Sequence, residues 1–113
     1  FNELSALDVT KNTALIYLDC IKNELSALDV SNNTALRRLR CFENQLSALD
    51  VSNNTVLTTL YCSRNQLSAD VLNRIFTDLP DRSGMETGKI SIEDNPGTDT
   101  CDRSKAKNWK FLQ

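Results

Sequence analysis

Three cysteines fall at positions 20, 41 and 62, each 21 residues from the next, and a fourth, Cys101, breaks the spacing. Thiols spaced this way admit three chemistries: apolar packing, disulfide formation and metal ligation. Zinc sites cluster their ligands at short spacings such as C-x₂-C, which are absent, and a straight column does not wrap a tetrahedral ion. If the period stacks the cysteines in register, their Cβ vectors run parallel. The Cβ atoms then stay about 4.8 Å apart, where a disulfide prefers about 3.8 Å. Packing as small apolar residues is therefore favoured for Cys20, Cys41 and Cys62, and the state of Cys101 is open. A second regular column, Asp8, Asp29 and Asp50, stands beside Thr10, Ser31 and Ser52. Stacked carboxylates and hydroxyls can offer oxygen ligands to Ca²⁺. A column that repeats with the scaffold fits better an Asp that bonds the backbone of its own turn, so no metal site is assigned. The chain has no His, the commonest general base and metal ligand. It also has no nucleophile elbow, P-loop or H-E-x-x-H. Glu93 and Asp94 sit beside a turn and read as solvated. No catalytic residue, cofactor or enzymatic activity is expected.

The cysteines belong to a larger unit. Leu36, Leu39, Cys41, Asn44 and Leu46 have the form L-x-x-L-x-C-x-x-N-x-L. The same frame recurs 21 residues earlier (Leu15, Leu18, Cys20, Asn23, Leu25) and later (Leu57, Leu60, Cys62, Asn65, Leu67). This is the leucine-rich-repeat pattern. One unit cannot bury its own leucines, whereas stacked units bury a shared column. A short strand near 38–40 alternates sides, so Leu39 and Cys41 point in and Arg38, Arg40 and Phe42 point out. Asn23, Asn44 and Asn65 stand where the chain leaves each strand. There an amide can bond both ways to backbone that the bend leaves unpaired, which makes them structural.

The expected fold is an α/β leucine-rich-repeat solenoid with a parallel sheet on one face, few helices and a C-terminal α/β cap. Repeats occupy residues 1–69. Each contains a second, weaker arc, Leu-Ser-Ala-Leu-Asp-Val, closing on Asn12, Asn33 or Asn54; strand-favouring Tyr17, Ile21, Thr59 and Tyr61 assign the sheet to the Cys arc. The Ser-Asn-Asn-Thr stretches at 31–34 and 52–55 are turns. A 21-residue coil leaves no room for a full helix opposite the sheet. Residues 70–113 read as the capping module. Asp70 is expected to N-cap a helix carrying Val71, Leu72, Ile75, Phe76 and Leu79, ended by Pro80. Ile90, Ile92 and Asn95 fit the repeat slots as a fourth parallel strand, so Asn95 joins the Asn column. Asp102 caps a short helix over 103–108, and Trp109 and Phe111 alternate in a last strand. Phe76, Trp109 and Phe111 are expected in the core of the cap.

The chain has 113 residues and a net charge of −2, which gives no argument for nucleic acid or a membrane surface. No apolar run is long enough for a transmembrane helix or an export signal. Phe1 and Asn2 fall mid-repeat, Asn2 matching Asn23. A longer protein is therefore expected, with its export signal and N-terminal cap upstream. Leu4, Leu7 and Val9 would then be open to self-association in this piece.

The repeats also act as a control for function. Packing positions are the same in each copy, whereas outward positions of the Cys strand differ. Three columns result: Tyr17, Arg38, Thr59; then Asp19, Arg40, Tyr61; then Ile21, Phe42, Ser63. Nothing in the scaffold selects these residues, and aromatics and Arg are enriched at interfaces. This face is the expected binding surface, for a protein or, through stacking on Tyr17, Phe42 and Tyr61, a glycan.

The runs Leu-Asp-Val-Ser-Asn-Asn-Thr and Leu-Tyr-Cys-Ser-Arg-Asn-Gln-Leu resemble those of bacterial leucine-rich-repeat surface proteins. So does the end module from Leu79-Pro80-Asp81-Arg82 through Asn95-Pro96-Gly97 to Cys101-Asp102 and Trp109. The leucine-rich-repeat proteins of Bacteroidetes carry such runs, and the cysteine-ladder repeats of listerial internalin J are similar. The resemblance implies a secreted or cell-surface protein that binds other macromolecules, often in adhesion or host contact. It names no ligand. A spacer or stalk within a larger surface protein is the alternative.

Overall fold

A computed structural model describes residues 3–112; Phe1 and Asn2, with the expected match of Asn2 to Asn23, lie outside them. The five strands are β1 (Tyr17–Asp19), β2 (Arg38–Arg40), β3 (Thr59–Tyr61), β4 (Gly88–Ser91) and β5 (Trp109–Leu112). One helix, α1 (Ala69–Asp78), lies between β3 and β4, and a 3₁₀ turn (Arg103–Lys105) lies between β4 and β5. The strands form one sheet in the order β1-β2-β3-β4-β5, every neighbour parallel. The Cys arc forms the sheet. Leu18 pairs with Leu39, Leu39 with Leu60 and Leu60 with Ile90, so the 21-residue period is a stack in register. The opposite arc runs without helix or strand, through turns such as those at 31–35 and 52–56.

The alternation in the strands decides the core. Leu39, Leu60 and Ile90 are fully buried, as are Leu36, Leu57, Leu46 and Leu67 in the flanking slots of the repeat. Removing each such side chain from water contributes about 1.5–3 kcal/mol. On the first coil Leu4 is exposed and Leu7 partly buried, but Val9 is buried at 7 % exposure rather than open to solvent. It lies under the second coil, where its carbonyl also accepts from Asn33 Nδ2.

The asparagines tie each coil to the one before it. Asn44 Nδ2 donates to the carbonyls of Cys20 and Cys41, both at 3.0 Å, and its Oδ1 accepts from Leu25 N. Asn65 repeats this with Cys41, Cys62 and Leu46. Asn95 does so with Cys62, Ile92 and Leu67, across the longer insertion. A second column works at the far bend: Asn33 donates to Val9 and Asn12, and Asn54 to Val30 and Asn33. The residue before each Asn of the first column, Lys22, Glu43, Arg64 or Asp94, has a φ of 56–60°. This left-handed step, costly for a non-glycine residue, turns the chain out of the strand.

Beyond β3 two expectations change. The helix begins at Ala69 and its N-cap is Ser68, whose Oγ accepts from Val71 N. Asp70 lies inside the first turn, where its charge suits the helix N-terminus but cannot cap it. The helix expected over 103–108 shrinks to the 3₁₀ turn Arg103–Lys105, with Asp102 as its cap. Leu72, Ile75 and Phe76 of α1 enter the common core. Phe111 meets Phe76 edge-on at 5.3 Å between ring centres, and Trp109 is buried with its Nε1 donating to Pro80 O. Two glycines allow this closure. A Cβ on Gly88 would sit 2.6 Å from the Trp109 ring, and one on Gly97 would fall on the backbone of Ser68 and Ala69.

Asn44→Ala would leave the buried Leu25 N–H without a partner and the Cys20 carbonyl with Asn23 alone, and should cost about 2 kcal/mol. Asn53, whose bond to Ser31 O is exposed, should tolerate the same change within about 0.5 kcal/mol. Urea unfolding of both variants checks the contrast. Gly97→Ala should lose about 2–3 kcal/mol by overpacking against α1, read as a lower melting temperature.

Candidate functional site

The outward face of the sheet is built by the register. Sequence spacing places nine residues there, and the pairing puts them in rows. Tyr17, Arg38 and Thr59 are continued by Lys89 and Lys110; Asp19, Arg40 and Tyr61 by Ser91 and Leu112. Ile21, Phe42 and Ser63 lie just past the strands, where the parallel backbone bonding persists: Lys22 N donates to Phe42 O, Glu43 N to Ser63 O and Arg64 N to Glu93 O. Glu93 thus extends this third row. Lys89, Ser91 and Glu93 are reachable from the match of Ile90, Ile92 and Asn95 to the repeat frame. Lys110 and Leu112 are not, because β5 carries no repeat signature.

The residues of this face engage one another. Arg38 lies over the Tyr17 ring at 4.5 Å. Arg40 bonds Asp19 at 3.1 Å and stands 5.7 Å from the centre of the Phe42 ring. Arg64 joins Glu43 and Asp94, each at 3.3 Å, and Arg103 reaches Glu93 at 3.7 Å. Such exposed pairs add at most about 1 kcal/mol each to stability; what they fix is the position of the side chains. Between them a groove of about 530 Å³ lies at the strand ends, lined by Phe42, Tyr61, Ser63 and Leu112 together with Arg40 and Glu93. Tyr17 is 61 % exposed at the far edge. The groove therefore offers aromatic surface flanked by both signs of charge.

The remaining sequence-selected residues have other surroundings. Cys20, Cys41 and Cys62 are free and buried, and Cys101 is free and half-buried. Burial pushes the Cys20 thiol up to about 11, with a further contribution from Asp19, and Cys62 up to about 12. Cys41 is raised well above the usual thiol range by burial, then by the charges its two neighbours would carry. These thiols stay protonated at neutral pH and pack as apolar groups. Asp8, Asp29 and Asp50 each accept from the amide two residues on, at Thr10, Ser31 and Ser52. The hydroxyls of those residues hold the carboxyls below the usual range, ahead of the backbone bond. Among the described residues no group of three His, Cys, Asp or Glu side chains is placed to hold a metal ion.

The structure was compared with known ones. A match is the functional domain of InlJ from Listeria monocytogenes, described as including a cysteine ladder, with a TM-score of 0.71 and 32 % identity. This chain is similar to internalin J. The match covers 96 % of this chain and 22 % of the InlJ chain. No family model and no curated protein matches. The cysteine ladder of InlJ has its counterpart here in Cys20, Cys41 and Cys62, stacked by the pairing of β1, β2 and β3.

The raised thiols give stability a definite dependence on pH. Folding favours the protonated form, so their contribution is complete below about pH 9, where a solvated thiol titrates, and is lost as pH rises toward the folded values. The urea midpoint should fall between pH 8 and pH 10.5, and fall less in Cys62→Ala. A thiol reagent at neutral pH should modify Cys101 first and reach the three ladder cysteines only on unfolding.

Proposed function

We propose that this chain is a non-enzymatic, macromolecule-binding leucine-rich-repeat module that contacts a protein partner through the outward face of its sheet. One observation carries this reading. Where packing repeats from coil to coil, this face does not, and four of its variable residues, Arg40, Phe42, Tyr61 and Ser63, line one groove. Protein interfaces concentrate their energy in such aromatic and Arg anchors. The similarity to InlJ supports an internalin-like role at a bacterial surface, secreted or attached, in adhesion or host contact. In this reading residues 1–69 display the face and residues 70–113 cap the solenoid.

A second reading is a rigid spacer within a larger surface protein. It is favoured by the two asparagine columns, which tie consecutive coils at both bends whatever the outward residues are.

The parent and the variant Arg40→Ala/Phe42→Ala/Tyr61→Ala, matched by circular dichroism, should differ when presented with epithelial surface proteins. A partner retained by the parent should bind the variant at least about tenfold more weakly, as for a lost hot spot. Equal retention by both would remove this face as the binding surface. Retention by neither would favour the spacer.

A further inference from the structure

The two ends of the strands differ in charge pairing. At the strand ends Arg40 and Arg64 are matched by Asp19, Glu43 and Asp94. At the strand starts the first row reads Tyr17, Arg38, Thr59, Lys89, Lys110. Arg38, Lys89 and Lys110 have no ion-pair partner among the described residues, nor do Arg37 and Arg82 beside them. Lys89 and Lys110 are direct register partners on adjacent strands, about 4.8 Å apart at the backbone. Like charges placed opposite each other across strands destabilise a sheet. Glu86 lies in the groove beside this row and Asp81 in the adjoining one. Asp81 is engaged by Ser83 N at 2.9 Å. Cations thus gather at the strand starts of a chain that is −2 overall, with Lys107 set against Asp81.

The same edge holds a groove of about 270 Å³, lined by Arg37, Arg82, Lys89, three threonines and Glu86, with no apolar side chain. Arg82 is held across it, its Nε donating to Glu86 O at 2.8 Å. Thr58 is fixed by donating to Arg37 O. The groove's own lining is polar throughout, and the apolar Val56, Pro80 and Met85 belong to the adjoining groove. The polar groove offers Lys89 on β4 with Arg37 and Arg82 from the flanking segments, interleaved with hydroxyls, which suits a chain of anions that is itself rich in hydroxyls.

We infer that the strand-start edge is a second interaction surface, one that binds an acidic polysaccharide along the row from Arg38 to Lys110. It does not rest on the protein-binding groove at the strand ends, from which it differs in residues and in chemistry. Charge complementarity would set its on-rate and its sensitivity to salt.

The test uses dextran sulfate as the probe, with uncharged dextran and poly-glutamate alongside, on the intact chain at low salt. The variant Arg37→Gln/Lys89→Gln/Lys110→Gln changes only exposed side chains, and its melting curve shows that the fold is kept. Dextran sulfate should bind the parent, lose at least about tenfold in affinity to the variant, and weaken as salt is raised; dextran should not bind. Phe42→Ala/Tyr61→Ala should bind dextran sulfate like the parent, which separates this surface from the other. Equal binding by parent and charge variant, or no binding of dextran sulfate by the parent, would overturn the surface. Poly-glutamate binding as tightly as dextran sulfate would overturn the polysaccharide in favour of an acidic peptide.

Discussion

The structure depends on the pairing of backbone groups where each coil bends. A 21-residue coil turns too sharply to close its own hydrogen bonds by helix, and its bends are buried between neighbours. Unpaired N–H and C=O groups there would cost about 1–3 kcal/mol each. One side-chain type with both a donor and an acceptor on a short stem meets the need. Asn44 takes two carbonyls and one amide from two coils, so each bond that shapes a bend also joins it to its neighbour. Bend geometry and stacking are thus the same interaction, and the leucine layers follow from it.

That coupling explains why the outward face is free to vary. Inward residues are restricted by the stack on both sides. Outward residues need only tolerate a strand, and β2, with Arg-Leu-Arg, shows how little strand propensity is required once the register is imposed. The result is a rigid display of side chains with strand rows about 4.8 Å apart. Its two ends have separate characters: paired charges around aromatics at one, unpaired cations with hydroxyls at the other.

After β3 the 21-residue repeat lapses, and the third coil is covered by segments that do not keep it. Here α1 lays Leu72, Ile75 and Phe76 into the core, β4 continues the Asn column through Asn95, and β5 pairs on with Phe111 against Phe76. The close passage of Gly97 over the start of α1 and the bond from Trp109 to Pro80 lock these pieces together.

Periodicity by itself determined the stack, the cysteine ladder, the Asn column and the nine outward positions, because residues 21 apart meet the same environment only if they are in register. Ile90, Ile92 and Asn95 likewise marked β4 across an insertion. Other features depended on contacts between segments with no shared pattern. Ser68 rather than Asp70 caps α1 because the chain is already extended at Ser68 where it leaves the last bend. Val9 is covered because the next coil lies over it. The left-handed residues at 22, 43, 64 and 94 carry no glycine to announce them. The pairing of Lys89 with Lys110, and with it the cationic edge, was decided only when β5 docked on β4. A row across a sheet is a property of register between strands, and β5 has no repeat to reveal its own.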